Sequence, residues 1–452
     1  MKLFVLLTVA FGYVAGLVRP GFIFALGMSS YPIEAALGGR NIIGDVIVGA
    51  VPIYALLVLF KRRCFHLHVV DGLFIVYFLW YCISVLRAPD YSLAFDNLIK
   101  FTISSVGYYF ATRALLENER DFNRFAKDFL RMGVVIAIII GLIAQPDPWS
   151  PRTYINFEGG RTSTVGVSLS FNVVICALAF YLLSKKSWQA FFIPRLDFLA
   201  GAIALIFIVH FAFQNGTRGA LMGPLFAVIA FSLIYFYSRL GSTGRLVMVG
   251  ASIAFILCFP FVMALIAEAI ADVPPTTMPP KFKASIINFA GVVTGMERYQ
   301  AFDPSGAARI DIYRTAKAII AEWPLFGLGA NAVIATIGTH AHNLFLELWS
   351  DGGITNVVLF LMFVATGMFI GLRNSLAGPV PVFSRMFLGV GAGVLIQLQV
   401  SLTLAYAKPL FFALGALVTL EVARLRALAQ ANDAYARAPA VPLEATGGAA
   451  AA

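Results

Sequence analysis

Long apolar runs separated by short polar interruptions set the architecture of this chain. The runs fall at about 2–18, 42–60, 69–86, 94–112, 131–145, 163–184, 197–214, 219–238, 246–270, 353–372, 386–405 and 409–423. Helices of about 17 to 25 apolar residues are long enough to cross a bilayer core. The pattern therefore predicts an all-α polytopic membrane protein with about twelve transmembrane helices. The fifth run is short, and the stretch from 21 to 38 reads either way. The first run follows Met1 and Lys2 as a signal peptide would, but "GLVRPGF" is a poor cleavage site, so the run reads as a retained helix.

The pattern changes between the ninth and tenth runs. Residues 271–352 open with a Pro-rich linker and then reach "DPSGAARIDIYRTAKAIIAEW". There Ser305 is placed to cap a helix whose apolar face includes Ile312, Ala316, Ile319 and Trp323. Pro324, Gly327 and Gly329 break that helix, and a second one is expected to begin near Asn343 and stop at Gly352–Gly353. A long loop with aromatic residues, helical periodicity and few charges reads as a folded functional segment. The expected division is 1–270 for helices one to nine, 271–352 for this loop, 353–425 for helices ten to twelve, and 426–452 for a disordered tail.

Composition agrees with the pattern. The chain is 60% hydrophobic and 12% charged, with mean hydropathy +0.85, against roughly 25% charged in soluble domains. Lys and Arg mark the cytoplasmic side of a membrane protein. With Lys2 inside and twelve alternating runs, about 19 of the 33 Lys and Arg fall inside, including Lys61–Arg63 and the cluster from 113 to 131. Both termini are then cytoplasmic and the long loop lies outside. The net charge of +10 is accounted for by membrane orientation and carries no nucleic-acid signature. Cys64, Cys82, Cys176 and Cys258 are scattered without CxxC spacing, so they read as packing residues, not as a zinc site or a disulfide framework.

The candidate chemistry gathers at the outer face. "HAHN" holds His340, His342 and Asn343 just ahead of a helix, where the positive end of the helix dipole keeps imidazole neutral and able to accept a proton. The alternative is a pair of hydrogen-bonded loop histidines. "HLH", with His66 and His68 beside Lys61–Arg63, has the same spacing and reads as structural. Metal ligation is weaker, because only Glu347 and Asp351 lie near and no third ligand has a recognisable spacing. Arg218 sits in a short outer turn, Arg152 and Arg161 in another outer loop, and Arg309 and Arg314 in the long loop. Guanidinium groups there suit phosphate oxygens, or alternatively lipid headgroups. "GLGANA", at 327–332, matches a dinucleotide fingerprint superficially but lacks the βαβ setting, and reads as a backbone turn.

Three stretches together resemble the O-antigen ligase and Wzy-type polymerase superfamily of bacterial membrane glycosyltransferases. "GTRGAL" (216–221) is similar to the family's Ser/Thr-Arg-Gly stretch. "SGAARIDIYRTAKAIIAEWPLFGLG" (305–329) is similar to its Ser-Gly-Arg, helix and Pro-Leu-x-Gly-x-Gly stretch, although Ala307 and Ala308 separate Gly306 from Arg309. "HAHNLFLELWSDGGI" (340–354) is similar to its His-x-His-Asn, helix and Gly-Ile stretch. The resemblance covers the C-terminal half; residues 1–150 match only in hydropathy.

What the resemblance implies is transfer of a glycan from undecaprenyl pyrophosphate to an acceptor hydroxyl, at the periplasmic face of the bacterial inner membrane. No metal, nucleotide sugar or other cofactor is expected. His342 would be the base that activates the acceptor and Asn343 would orient the site. Arg218 and Arg309, with Arg161 as a third candidate, would bind the diphosphate, and His340 and Arg314 are candidates for support. If the acceptor is lipid A-core, the protein is a ligase of lipopolysaccharide synthesis. If it is another lipid-linked repeat, the protein is an exopolysaccharide or O-antigen polymerase, and a protein hydroxyl is a third acceptor. The competitor outside the class is a transporter of the same lipid-linked glycan. A transporter needs ionisable groups near the middle of several spans, where this chain has only Asp45, Asp71 and His210.

Overall fold

The computed structural model describes residues 2–37, 42–62, 66–115, 119–143, 145–146, 154–157, 160–182, 196–214, 218–274, 304–376, 382–399 and 407–437, with single residues in 283–290 and at Leu404. Its elements run α1 (Lys2–Val18), α2 (Gly21–Met28), α3 (Ser30–Leu37), α4 (Ile42–Arg62), α5 (Val69–Leu86), α6 (Tyr91–Phe101), a π-helical turn (Thr102–Val106) and α7 (Gly107–Leu115). Next come α8 (Glu119–Ile143), a small sheet of β1 (Gln145–Pro146), β2 (Tyr154–Phe157) and β3 (Gly160–Ser163), then α9 (Thr164–Leu182), α10 (Leu196–Gln214), α11 (Arg218–Arg239) and α12 (Ser242–Ala271). The long loop supplies α13 (Pro304–Glu322) and α14 (Ala332–Ile337), and α15 (Leu344–Leu376), α16 (Val382–Leu398) and α17 (Lys408–Arg437) close the chain.

Helices dominate, as the apolar pattern requires. The sheet is the departure: β1, β2 and β3 pair antiparallel in chain order, with Asn156 opposite Arg161. Among the described residues, α5 and α15 are both long and apolar enough to cross a membrane, and shorter apolar stretches include Leu3–Val18, Val167–Leu182 and Ser384–Leu398. Many aliphatic side chains face outward, such as Leu3 at 69%, Leu57 at 64% and Leu257 at 73% exposure. Such surfaces are unfavourable in water and match lipid, and continuous helices satisfy their own backbone groups there. The inner contacts are aromatic. Phe74 stacks on Phe363 at 4.7 Å and meets Tyr109 edge-on at 4.6 Å, and Phe129 packs on Phe412 at 4.9 Å.

One end of the bundle is locked by a buried ion pair. Asp71, on the first turn of α5, accepts Arg113 Nε at 2.9 Å and Nη2 at 2.8 Å, and also accepts Tyr109 Oη at 2.7 Å. Arg113 donates onward to the carbonyl of His66, and His68 caps α5 in a reciprocal capping box with Asp71. The "HLH" stretch therefore has the structural role expected of it. Asp71 is paired with an arginine instead of standing free in the apolar core.

The opposite end carries the long loop, and here one expectation changes. Arg19 pairs with Asp128 at 2.9 Å, while Val5 lines a groove with Ile136 and Ile143 of α8. The helix α1 therefore runs antiparallel to α8, with its Lys2 end beside the sheet and its Arg19 end towards the Asp71–Arg113 lock. Residues 21–37 are the reason. They form α2 and α3 in line along α8, which adds a lengthwise crossing and reverses the helix before it. Lys2 and the far end of α17 accordingly lie at opposite ends of the bundle, not on one side. The charge tally could not reveal this, because exchanging Lys2 for Arg19 leaves it unchanged.

Two outcomes follow. Arg113→Met strands Asp71 in the core and should cost about 3–5 kcal/mol, read as a lower unfolding midpoint in detergent. In oriented membranes, Lys2→Cys should react with an impermeant maleimide from the same face as Ala335→Cys, and Leu428→Cys from the other. Shared labelling of Lys2→Cys and Leu428→Cys would restore the twelve-run arrangement.

Candidate active site

The long loop folds around a small core of its own. Ile312, Ala316 and Ile319 of α13 pack with Ala332, Val333 and Ala341, with Leu346 alongside. Trp323, expected on that face, lies just past the helix end and is 44% exposed. The helix begins at Pro304, a favourable first position for a residue with no N–H to satisfy, so Ser305 lies inside it instead of capping it.

Between α13 and α14 the stretch from Pro324 to Asn331 forms a turn held from two sides. From α15, Leu328 N–H donates to the Ser350 carbonyl at 2.9 Å, Gly329 N–H to that of Asp351 at 3.0 Å, and Ile354 N–H to that of Pro324 at 2.9 Å. From α5 and α6, Arg87 donates to the carbonyls of Phe326 at 3.0 Å and Gly327 at 2.7 Å, and Asn97 donates to Asn331 Oδ1 at 2.9 Å. The "GLGANA" segment is thus a backbone turn, with Asn331 in the left-handed region at φ 62°. Opposite it, α15 kinks at Gly353, with φ 72° and ψ −173°. A side chain there would collide with the backbone of Leu325 and Phe326, so the position needs glycine for space as well as conformation. The expected stop at Gly352–Gly353 is therefore a kink, separating a short outer helix (344–352) from an apolar arm (354–376) that we read as the membrane-spanning part.

"HAHN" sits at the start of that outer helix. Asn343 is its N-cap: its Oδ1 accepts Leu346 N–H at 3.0 Å, and its Nδ2 donates to the Gln399 carbonyl at 3.1 Å, fastening the helix start to the end of α16. Ala341 is buried, and His340 and His342 are half-buried on either side of it. His342 has φ 52°, a conformation uncommon for a residue with a side chain. Burial, and secondarily the neighbouring His342, lower the His340 pKa to about 4. That is the neutral imidazole the dipole at a helix start favours.

The arginines divide. Arg161 lies in β3, Arg218 opens α11 and Arg309 lies in the first half of α13, but their side chains lie outside the described residues. Gly223, one turn beyond Arg218, packs against Asn172 of α9 and Gly393 of α16. Arg314 is elsewhere: it pairs with Asp311 at 3.3 Å, both side chains 77% exposed, away from the loop core. Arg152 lies outside the described residues, as does the side chain of Asp45; His210 is exposed beside Phe211 on α10.

Motif reading gave Glu347 and Asp351 no role beyond a weak metal alternative. They lie one turn apart on the outer helix, 9% and 5% exposed, and make no ion pair with a described Arg or Lys. Asp351 Oδ1 accepts Ala332 N–H at 3.0 Å, and Glu347 accepts a backbone N–H from Leu404. Burial raises the pKa of both, and for Glu347 the nearby Asp351 carboxylate adds to it. A carboxyl every four residues on a helix was legible; its burial depended on the turn at 324–331.

Residues 203–364 match the family model Wzy_C, described as O-antigen ligase. This segment contains the turn, the kink and "HAHN", and over that length the chain is similar to O-antigen ligase. No curated protein matches the chain.

The His340 shift makes stability depend on pH. Its folded pKa lies below the ordinary 6.5, so the unfolded chain binds the proton first as pH falls. Stability from this group is intact above about pH 6.5 and declines towards pH 4. Unfolding midpoints at pH 7.5 and 5 should differ less in His340→Asn than in the wild type.

Proposed function

We propose that the chain transfers a glycan from undecaprenyl pyrophosphate to an acceptor hydroxyl at the outer face of the bacterial inner membrane. The observation that carries this reading is His342 at the start of a capped helix, its backbone strained and its neighbour His340 held neutral, inside the segment matching O-antigen ligase. Asn343 orients the histidine by fixing the helix start to Gln399. Arg218, Arg309 and Arg161 bind the diphosphate, the donor's most highly charged part, for which planar guanidinium groups are suited.

In the reaction, the acceptor oxygen attacks the anomeric carbon while the bond from that carbon to the diphosphate oxygen breaks, inverting the configuration. His342 takes the hydroxyl proton. The diphosphate leaves with the bonding electron pair, and cations aimed at its growing charge lower the barrier. Holding both lipid-linked substrates at one membrane face supplies the proximity that the second-order step needs. The chemistry requires no metal.

We favour lipid A-core as acceptor, which makes the protein a ligase; a second lipid-linked repeat as acceptor would make it a polymerase of the same mechanism. The lipid profile of a deletion strain separates them: full-length glycan accumulating on its carrier marks a ligase, and single repeats mark a polymerase. In membranes, His342→Ala should abolish transfer while leaving insertion intact, and full activity in that variant would remove the base assignment. Arg218→Lys should be impaired at least tenfold, since a point charge does not reproduce the guanidinium fork. A transporter instead of an enzyme would move donor across vesicles without joining glycan to any acceptor.

A further inference from the structure

Behind "HAHN", buried polar atoms converge without partners. Glu347 Oε2 and Tyr77 Oη have no hydrogen-bond partner among the described residues, and neither does Asn356 Oδ1. Glu347, Asp351 and Tyr77 are close enough to interact electrostatically, and Tyr81 of the same helix, α5, also faces the two carboxyls. Leu404 brings a backbone N–H to Glu347, and Asp351 accepts from the backbone of Asn331 and Ala332 and from the Ser350 hydroxyl, all neutral donors. Two carboxylates in such a place, with no described cation paired to them, cannot both be ionised; the stable form carries one proton between them. The helix start places them near the histidine in the chain. With Asn343 as N-cap, His342 is at N′ and Glu347 at N4, the positions that a hydrophobic staple pairs when both residues are apolar.

We propose that Glu347 and Asp351 hold one proton between them and serve as the proton-holding partner of His342 during transfer. The inference rests on the transferase reading above. As the acceptor oxygen bonds to the anomeric carbon and the diphosphate departs with its electron pair, the hydroxyl proton moves to His342. It then passes to the ionised carboxylate of the pair, through Glu347. The pair becomes doubly protonated, the imidazole returns to its neutral state, and the extra proton is lost to water after product leaves. Glu347 and Asp351 act through His342, so they are positioning residues and not groups that touch the donor.

The test uses full-length protein in lipid nanodiscs. Infrared spectra at pH 7 should show a protonated carboxyl C=O stretch that Glu347→Gln removes or displaces; its absence from the wild type would overturn the proposal. In transfer assays Glu347→Gln should lower kcat at least tenfold, leave KM for the donor unchanged and displace the acid limb of the pH profile. Unchanged kcat and pH profile would equally overturn it. Asp351→Asn keeps an acceptor for Ala332 N–H, so it supplies the same measurements if Glu347→Gln does not fold. The infrared band is read without turnover: if the wild type transfers no glycan, the transferase reading fails while the band still decides whether the pair shares a proton.

Discussion

The site depends on one interlock, the meeting of the 324–331 turn with the kink at Gly353. Backbone groups of the turn pair with Ser350 and Asp351 on one side of the kink, and Ile354 beyond it donates back to Pro324. No side chain at 353 fits this arrangement. The kink frees the outer helix from the direction of the apolar arm, so its capped start can lie across the end of the bundle. Asn343 then reaches Gln399, and His342 is held in a backbone conformation that an unconstrained loop would abandon.

This interlock is anchored in the half of the chain that shares no motif with the superfamily. Arg87, at the end of α5, and Asn97, on α6, hold the turn. Trp80 Nε1 donates to the Gly352 carbonyl at 3.0 Å, beside the kink itself. At the other end of the same helix, Asp71 is locked to Arg113. Thus α5 is a strut pinned at both ends, and the aromatic stack around Phe74 fills the space between. A rigid strut suits the proposed transfer, in which two substrates must be brought into register.

Much of this was legible in the residues. Hydropathy located the helices, proline and glycine located the breaks in the long loop, and Asn343 ahead of an apolar run marked a helix start. Three features were not legible, for physical reasons. Residues 21–37 hold a break at Ser29 between two eight-residue helices, so no single apolar run announced the crossing they complete. Trp323 fits the helical period of the buried face, but the helix ends at Glu322 before that period can bury it. Glu347 and Asp351 stood in the sequence only as a weak metal alternative, and their burial depends on long-range contacts such as that of Asp351 with the turn. Arg314 shows the reverse: it lies in the motif-bearing segment yet pairs with Asp311 at the surface.

The central claim is that the Gly353 interlock presents "HAHN" for catalysis. Amide hydrogen exchange in Gly353→Ala, compared with wild type in the same lipid, tests it most directly. The account predicts faster exchange confined to 324–352, unchanged protection in α5 near Asp71, and loss of glycan transfer. Wild-type exchange across 324–352 together with full transfer activity would contradict it.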